Sequence, residues 1–172
     1  FEGLLNGFEK LDHGFATFFY AGFGLVISNF VSRPSSTKVF PKWPILLIQL
    51  WVCLSYFLAG LEKLTISGVN WMFSVHSIQS HLVALPTPLG LLVSESVFLC
   101  WIIMVFTISL QFGFISVLFN KKLVLPILLI GVSFHWGTTL LLGINQYINP
   151  WIAAYIFFID WSTISIFQKI RN

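Results

Sequence analysis

Gln49, Cys53, Tyr56, Gly60 and Lys63 follow one another at intervals of 4, 3, 4 and 3 along an otherwise apolar stretch. That spacing puts all five on one helix face. Lipid offers no hydrogen bonds, so such a stripe must face another helix or a wet cavity. Gly60, one turn before Lys63, lets a helix or a ligand come close. Lys63 itself has two readings: an amine working inside a cavity, or a cation snorkelling to the headgroups beside Glu62. A second stripe, His135, Thr139, Leu142 and Gln146, with Thr138 beside it, lies further along the chain. His135 reads as a packing histidine or as a neighbour of a reacting group. A lone histidine cannot specify a metal or haem site, which needs further ligands. His76 and His81 are five residues apart, about 140° around a helix, so they do not form a chelating pair. Glu95 and Asp160 complete the costly polar groups, and Asp160 calls for a partner such as Tyr155, Ser162 or Thr163. No phosphate loop, nucleophile elbow, zinc-protease helix or dinucleotide fingerprint occurs.

The elements that hold these residues follow from composition. The 172 residues carry nine Lys/Arg and six Asp/Glu; 9% are charged, 57% are hydrophobic and 19 are Phe. A soluble domain averages about 25% charged residues and could not be coated with so few. Soluble enzyme, secreted disulfide scaffold and nucleic-acid binder are excluded, and the net charge of +3 reads as topology rather than as a polyanion site. The expected class is all-α: an integral membrane bundle of about five transmembrane helices and one interfacial helix in a single domain. The spans fall near residues 14–31, 43–61, 89–119, 123–144 and 150–167. Pro126 sits in a first turn and Pro150 at a helix start, where proline is tolerated. Cys53 and Cys100 lie within apolar runs and behave as small hydrophobes.

Five spans alternate the loops between two sides. Arg33, Lys38, Lys42, Lys121, Lys122, Lys169 and Arg171 fall on one side, Lys10 and Lys63 on the other. The positive-inside bias then places the C-terminus in the cytoplasm and the start of the chain outside. Glu2, Glu9, Asp12, Glu62 and Glu95 join the outer side. Between the second and third spans, Trp71, Val75, Ile78, Leu82 and Leu85 recur at helical spacing. An amphipathic helix over about 69–85 is expected there, either as an interfacial connector or as a lid over an outward-facing cavity. The chain opens on Phe1, which suits a processed chain or a fragment lacking N-terminal helices.

The run from Gln49 through Ala59-Gly60-Leu61-Glu62-Lys63-Leu64, followed by Asn70-Trp71, resembles the "Ala-Gly-x-x-Lys-Leu … Trp" signature of the HTTM domain. That domain is the membrane part shared with vitamin K-dependent gamma-carboxylase. Ser133-Phe134-His135-Trp136-Gly137, followed by Gly143, resembles the histidine-bearing helix of the same family. The likeness covers roughly residues 43–160. It implies a quinone or hydroquinone cofactor, with Lys63 as the base that deprotonates the hydroquinone and His135 orienting the reacting oxygen. Tyr56, Gly60, Trp71, Glu95 and Thr139 are the expected cofactor neighbours, and no metal is expected. A lysine held where water is scarce can present a free amine, which is what a base requires. The carboxylase's large lumenal domain is not part of this sequence, so the resemblance speaks for the scaffold more than for the reaction. Two alternatives stand beside it: a non-catalytic subunit contacting other membrane subunits within the bilayer, and a redox accessory like the DoxX-like proteins, which share the Gly-x-x-Lys element.

Overall fold

The computed structural model of the chain describes residues 22–24, 26–27, 42–66, 74–143 and 150–160. Among these residues every regular element is helical and no strand occurs. Three stretches are long and apolar enough to cross a bilayer: Trp43–Thr65, Val97–Leu118 and Lys121–Leu142, of 23, 22 and 22 residues. At about 1.5 Å per residue, each exceeds the roughly 30 Å of a hydrocarbon core. The expected span over 14–31 lies mostly outside the described residues, and the fragments 22–24 and 26–27 within it are helical.

The chain divides into two compact units, Phe1–Val52 with Pro150–Asn172, and Cys53–Asn149. Helix α1, Trp43–Ile66, begins in the first and ends in the second. In the first unit a short helix over Pro150–Ala154 runs into a 3₁₀ turn, Tyr155–Phe158. Ile159 then turns extended (φ −81°, ψ 128°). The described part of the expected span 150–167 is helical from Pro150 to Phe158, and Asp160 follows, exposed, just past the extended Ile159; residues 161–167 lie outside the described residues. Helix ends leave carbonyls without intrahelical partners; the Phe157 carbonyl accepts from Gln49 Nε2 of α1 at 2.7 Å.

The second unit holds α2 (His76–Ala84), α3 (Pro88–Ser94), α4 (Val97–Gly113) with a 3₁₀ extension Phe114–Leu118, and α5 (Val124–Leu142). The single long span expected over 89–119 is instead two helices. Ser96 is the reason: it leaves the helical region (φ −104°, ψ 106°), and its Oγ caps Leu99 N–H at 3.4 Å. The carbonyls freed at the end of α3 find partners, Ser94 O from Gln79 Nε2 at 3.0 Å and Val93 O from Cys100 Sγ at 3.4 Å. That matching satisfies backbone groups that the break would otherwise leave without helical partners.

Thr87 starts α3 in the way its sequence suggests, with Pro88 at the first helical position and Thr87 Oγ1 accepting from Gly90 N–H at 2.8 Å. The same hydroxyl donates to the Leu140 and Leu141 carbonyls, each at 3.0 Å. It thereby serves orphan acceptors in the last turn of α5. Gly90 permits this approach, since a Cβ there would run into the Leu141 carbonyl oxygen. Gly143 closes α5 in the left-handed region (φ 62°), with its N–H on Thr139 O at 3.0 Å. A residue with a Cβ is disfavoured in that conformation.

Of the amphipathic helix expected over 69–85, residues 74–85 are described, and the helix occupies His76–Ala84. Its apolar face is turned into the unit. Leu82 is buried with Val93 and Cys100, and Val75, Ile78, Ile103, Leu141 and Leu142 pack around them.

Candidate functional site

The α1 stripe points inward at successive levels. Cys53, Tyr56 and Gly60 are buried. At the Tyr56 level, the Tyr56 hydroxyl and His135 Nε2 share a hydrogen bond of 2.5 Å, joining residues 79 positions apart. The Tyr56 ring stacks on Phe114 with centroids 4.2 Å apart and planes 4° from parallel. His135 is only 8% exposed and meets Phe134 edge-on at 5.3 Å. Its backbone carbonyl accepts the Thr138 hydroxyl at 2.7 Å and the Thr139 hydroxyl at 3.1 Å.

One turn further, Gly60 rests on α4: a Cβ there would lie 3.2 Å from both Gln111 Cβ and the Phe112 ring. Beyond it the packing opens into a cavity of ≈ 560 Å³. Its floor and sides are apolar, built from Ile78 and Leu82 of α2, Ile103 and Phe106 of α4, and Phe134 and Leu141 of α5. Polar atoms enter at a few points: Glu62 and Lys63 of α1, His81 of α2, Thr107 of α4, and Ser133 and Thr138 of α5. A largely apolar chamber of this size with sparse polar points is the usual form of a small-molecule site.

Lys63 is half-buried on this wall. Its Nζ folds back to donate to the Ala59 carbonyl at 3.1 Å, which holds it against its own helix. The cavity hydroxyls share a feature. Thr107 donates to Ile103 O at 2.7 Å, Thr138 to His135 O at 2.7 Å, and Ser133 to Leu129 O at 3.0 Å. Each engages its proton on its own helix, which leaves only the oxygen lone pairs to offer a ligand, so these hydroxyls can accept hydrogen bonds rather than donate them.

The structure thus brings Tyr56 and His135 into direct contact and sets Lys63 on the cavity wall, with Gly60 between the two levels. His135 is not itself a wall residue, although Phe134 and Thr138 on either side of it are. Thr139 is half-buried with its hydroxyl on the His135 carbonyl, and it is Thr138 that borders the cavity. Glu95 is exposed at the junction of α3 and α4, away from the cavity walls. Trp71 lies outside the described residues. His81, Phe106, Thr107, Phe134 and Thr138 were not foreseen as wall residues. The spacing of Phe134, Thr138 and Leu141 on one face was present in the sequence, but so ordinary an apolar pattern does not distinguish a wall from a packed core. Among the described residues no three His, Cys, Asp or Glu come together as metal ligands would.

Residues 15–162 match the family model of the HTTM domain. No curated protein and no solved structure matches the chain.

Proposed function

The chain belongs to the HTTM domain family, and from that membership and the geometry above we propose that its cavity binds a flat, lipophilic, quinone-like molecule and supports a redox-linked modification. The observation that carries the reading is Lys63 on the wall of an otherwise apolar ≈ 560 Å³ cavity. The walls suit such a group: Phe106 and Phe134 offer ring faces, aliphatic side chains take a tail, and the polar points are few enough to orient a ring without solvating it. When bound, a hydroquinol supplies two electrons and an ionisable hydroxyl.

The chain's own residues do the rest. Lys63 Nζ takes the hydroxyl proton, and the Ala59 carbonyl, already 3.1 Å away, receives one hydrogen of the resulting ammonium. Thr107 and Thr138 accept hydrogen bonds at the sides of the ring. His135 acts through Tyr56, fixing α1 against α5 so that Lys63 keeps its place; it is a positioning residue. In this reading the stretches 14–31 and 150–167 supply two further spans. The Lys63 end of α1 faces the outer side and the C-terminus the cytoplasm, as the distribution of Lys and Arg supports.

The proton step has a direct test. A prenylated 1,4-dihydroxyarene is kept reduced without oxygen and bound to the protein in lipid nanodiscs at neutral pH. Its absorption should move toward that of the phenolate. Lys63→Met should lose that shift while eluting and folding as the parent does. A phenolate spectrum retained in full by Lys63→Met overturns Lys63 as the base, and no binding by the parent overturns the ligand class.

A further inference from the structure

Among the described residues His81 is the one imidazole on the cavity wall, and its hydrogen bonding fixes its chemistry. Nδ1 lies 2.6 Å from the Ser77 carbonyl oxygen, one turn back on α2. A carbonyl can only accept, so Nδ1 carries the hydrogen, and in the neutral ring Nε2 is left with the lone pair. Among the described residues no group bonds to Nε2. The bond to Ser77 also restricts the ring to an orientation set by its own helix, so an acceptor is held in place before any ligand arrives. Leu82, the next residue, is 2% exposed within the core, which anchors α2 at this point. Lys63 lies on α1 and His81 on α2, so the cavity carries basic atoms on two separate elements.

We infer that His81 is a ligand-contact residue: its Nε2 accepts a hydrogen bond from a hydroxyl of the cavity's ligand, while Lys63 engages a different polar group of the same molecule. The inference rests on the cavity being a ligand site, as proposed above. It adds a specificity: the ligand must carry a hydrogen-bond donor where it meets α2. With Thr107, Thr138 and Ser133 also presenting lone pairs, hydroxyl-bearing ligands are favoured over isosteres whose oxygens are capped by methyl groups.

Three variants separate ligand contact from a role in shaping α2. Gln places a side-chain oxygen near the position of Nε2, Asn places its amide near that of Nδ1, and Ala removes both. Binding of the reduced prenylated dihydroxyarene and of its two mono-O-methyl ethers is measured by tryptophan quenching in nanodiscs. The expected result is an affinity about tenfold lower for His81→Ala and His81→Asn, the size of one lost hydrogen bond. His81→Gln should stay within about threefold of the parent, again on the scale of hydrogen-bond strengths. One of the two ethers should bind the parent and His81→Ala equally, because it lacks the hydroxyl that Nε2 would meet. Unchanged affinity in His81→Ala overturns the inference and leaves the cavity reading standing. So does restoration by Asn rather than Gln, which would make the Ser77 bond and the shape of α2 the determining factor. A parent that binds none of the probes overturns both.

Discussion

Tyr56 and Lys63 stand two turns apart on the same face of α1, yet their surroundings are opposite. At the Tyr56 level the polar groups close on each other: hydroxyl on imidazole at 2.5 Å, phenol ring stacked on Phe114, imidazole 8% exposed. At the Lys63 level the helices part around ≈ 560 Å³ of space, and polar atoms are scattered over an apolar wall. One stripe therefore does two jobs. Where the stripe is satisfied by the protein it ties helices together; where the protein leaves room it can address a ligand. The periodicity of a polar stripe in a membrane helix does not distinguish these cases, because both must avoid lipid. Among the described residues, what distinguishes them is how closely other elements approach: Phe114 stacks on the ring at the Tyr56 level, whereas the walls stand apart around a cavity at the Lys63 level.

The strongest way to break this contrast is His135→Ala. If the lower level is a tie, the variant loses a buried ring and its hydrogen bond, and unfolding in mixed micelles should fall by about 3 kcal/mol. The affinity of the folded fraction for the dihydroxyarene should change less than about threefold, well under the effect of losing a direct hydrogen bond. An undiminished stability with abolished binding would move His135 from the tie to the ligand.

Much of this was legible in the sequence. Apolar length and scarce charge identify α1 and α5 because lipid imposes a long, uninterrupted helix on any spanning segment. The α1 stripe was visible because helical period is a local property. The pairing of Tyr56 with His135 was not, since 79 positions separate them and no local rule selects one polar partner among several. The break at Glu95–Ser96 had a signal, a serine immediately before an apolar run, which is a helix N-cap pattern. Hydrophobic length alone overrode it. His81 falls outside the apolar stripe Val75, Ile78, Leu82 and Leu85 of its helix, and neither its type nor its spacing marks it as a wall residue. Only the packing of α2 on α3 and α4 turns that position toward a cavity.

Gly60→Ala sharpens the contrast from the middle, with a smaller effect. The new Cβ would sit 3.2 Å from Gln111 Cβ and from the Phe112 ring, so α1 must lean away from α4. The displacement is a few tenths of an ångström, and crowding of this kind costs about 1 kcal/mol. Because Gly60 lies between the two levels, both readouts should move: stability by that amount, and ligand affinity by a few-fold through the displaced Lys63. A loss of stability with affinity untouched would show that the two levels are mechanically independent.

The smallest effect belongs to Thr138→Val, and its sign carries the argument. Thr138 belongs to both levels: its hydroxyl donates to the His135 carbonyl at 2.7 Å, and the residue borders the cavity. Valine keeps the shape and removes the oxygen. The His135 carbonyl retains the Thr139 hydroxyl at 3.1 Å, so stability should shift by no more than about 0.5 kcal/mol. If a lone pair of Thr138 accepts from a ligand, affinity for the dihydroxyarene should fall about threefold, a modest share of one hydrogen bond. Its dimethyl ether, which has no proton to give, should bind equally or better against the more apolar wall. Equal losses for both ligands would mean that the wall is felt only as shape. Opposite signs would mean that the open level recognises donors, which is the property the closed level cannot have while Tyr56 and His135 hold each other.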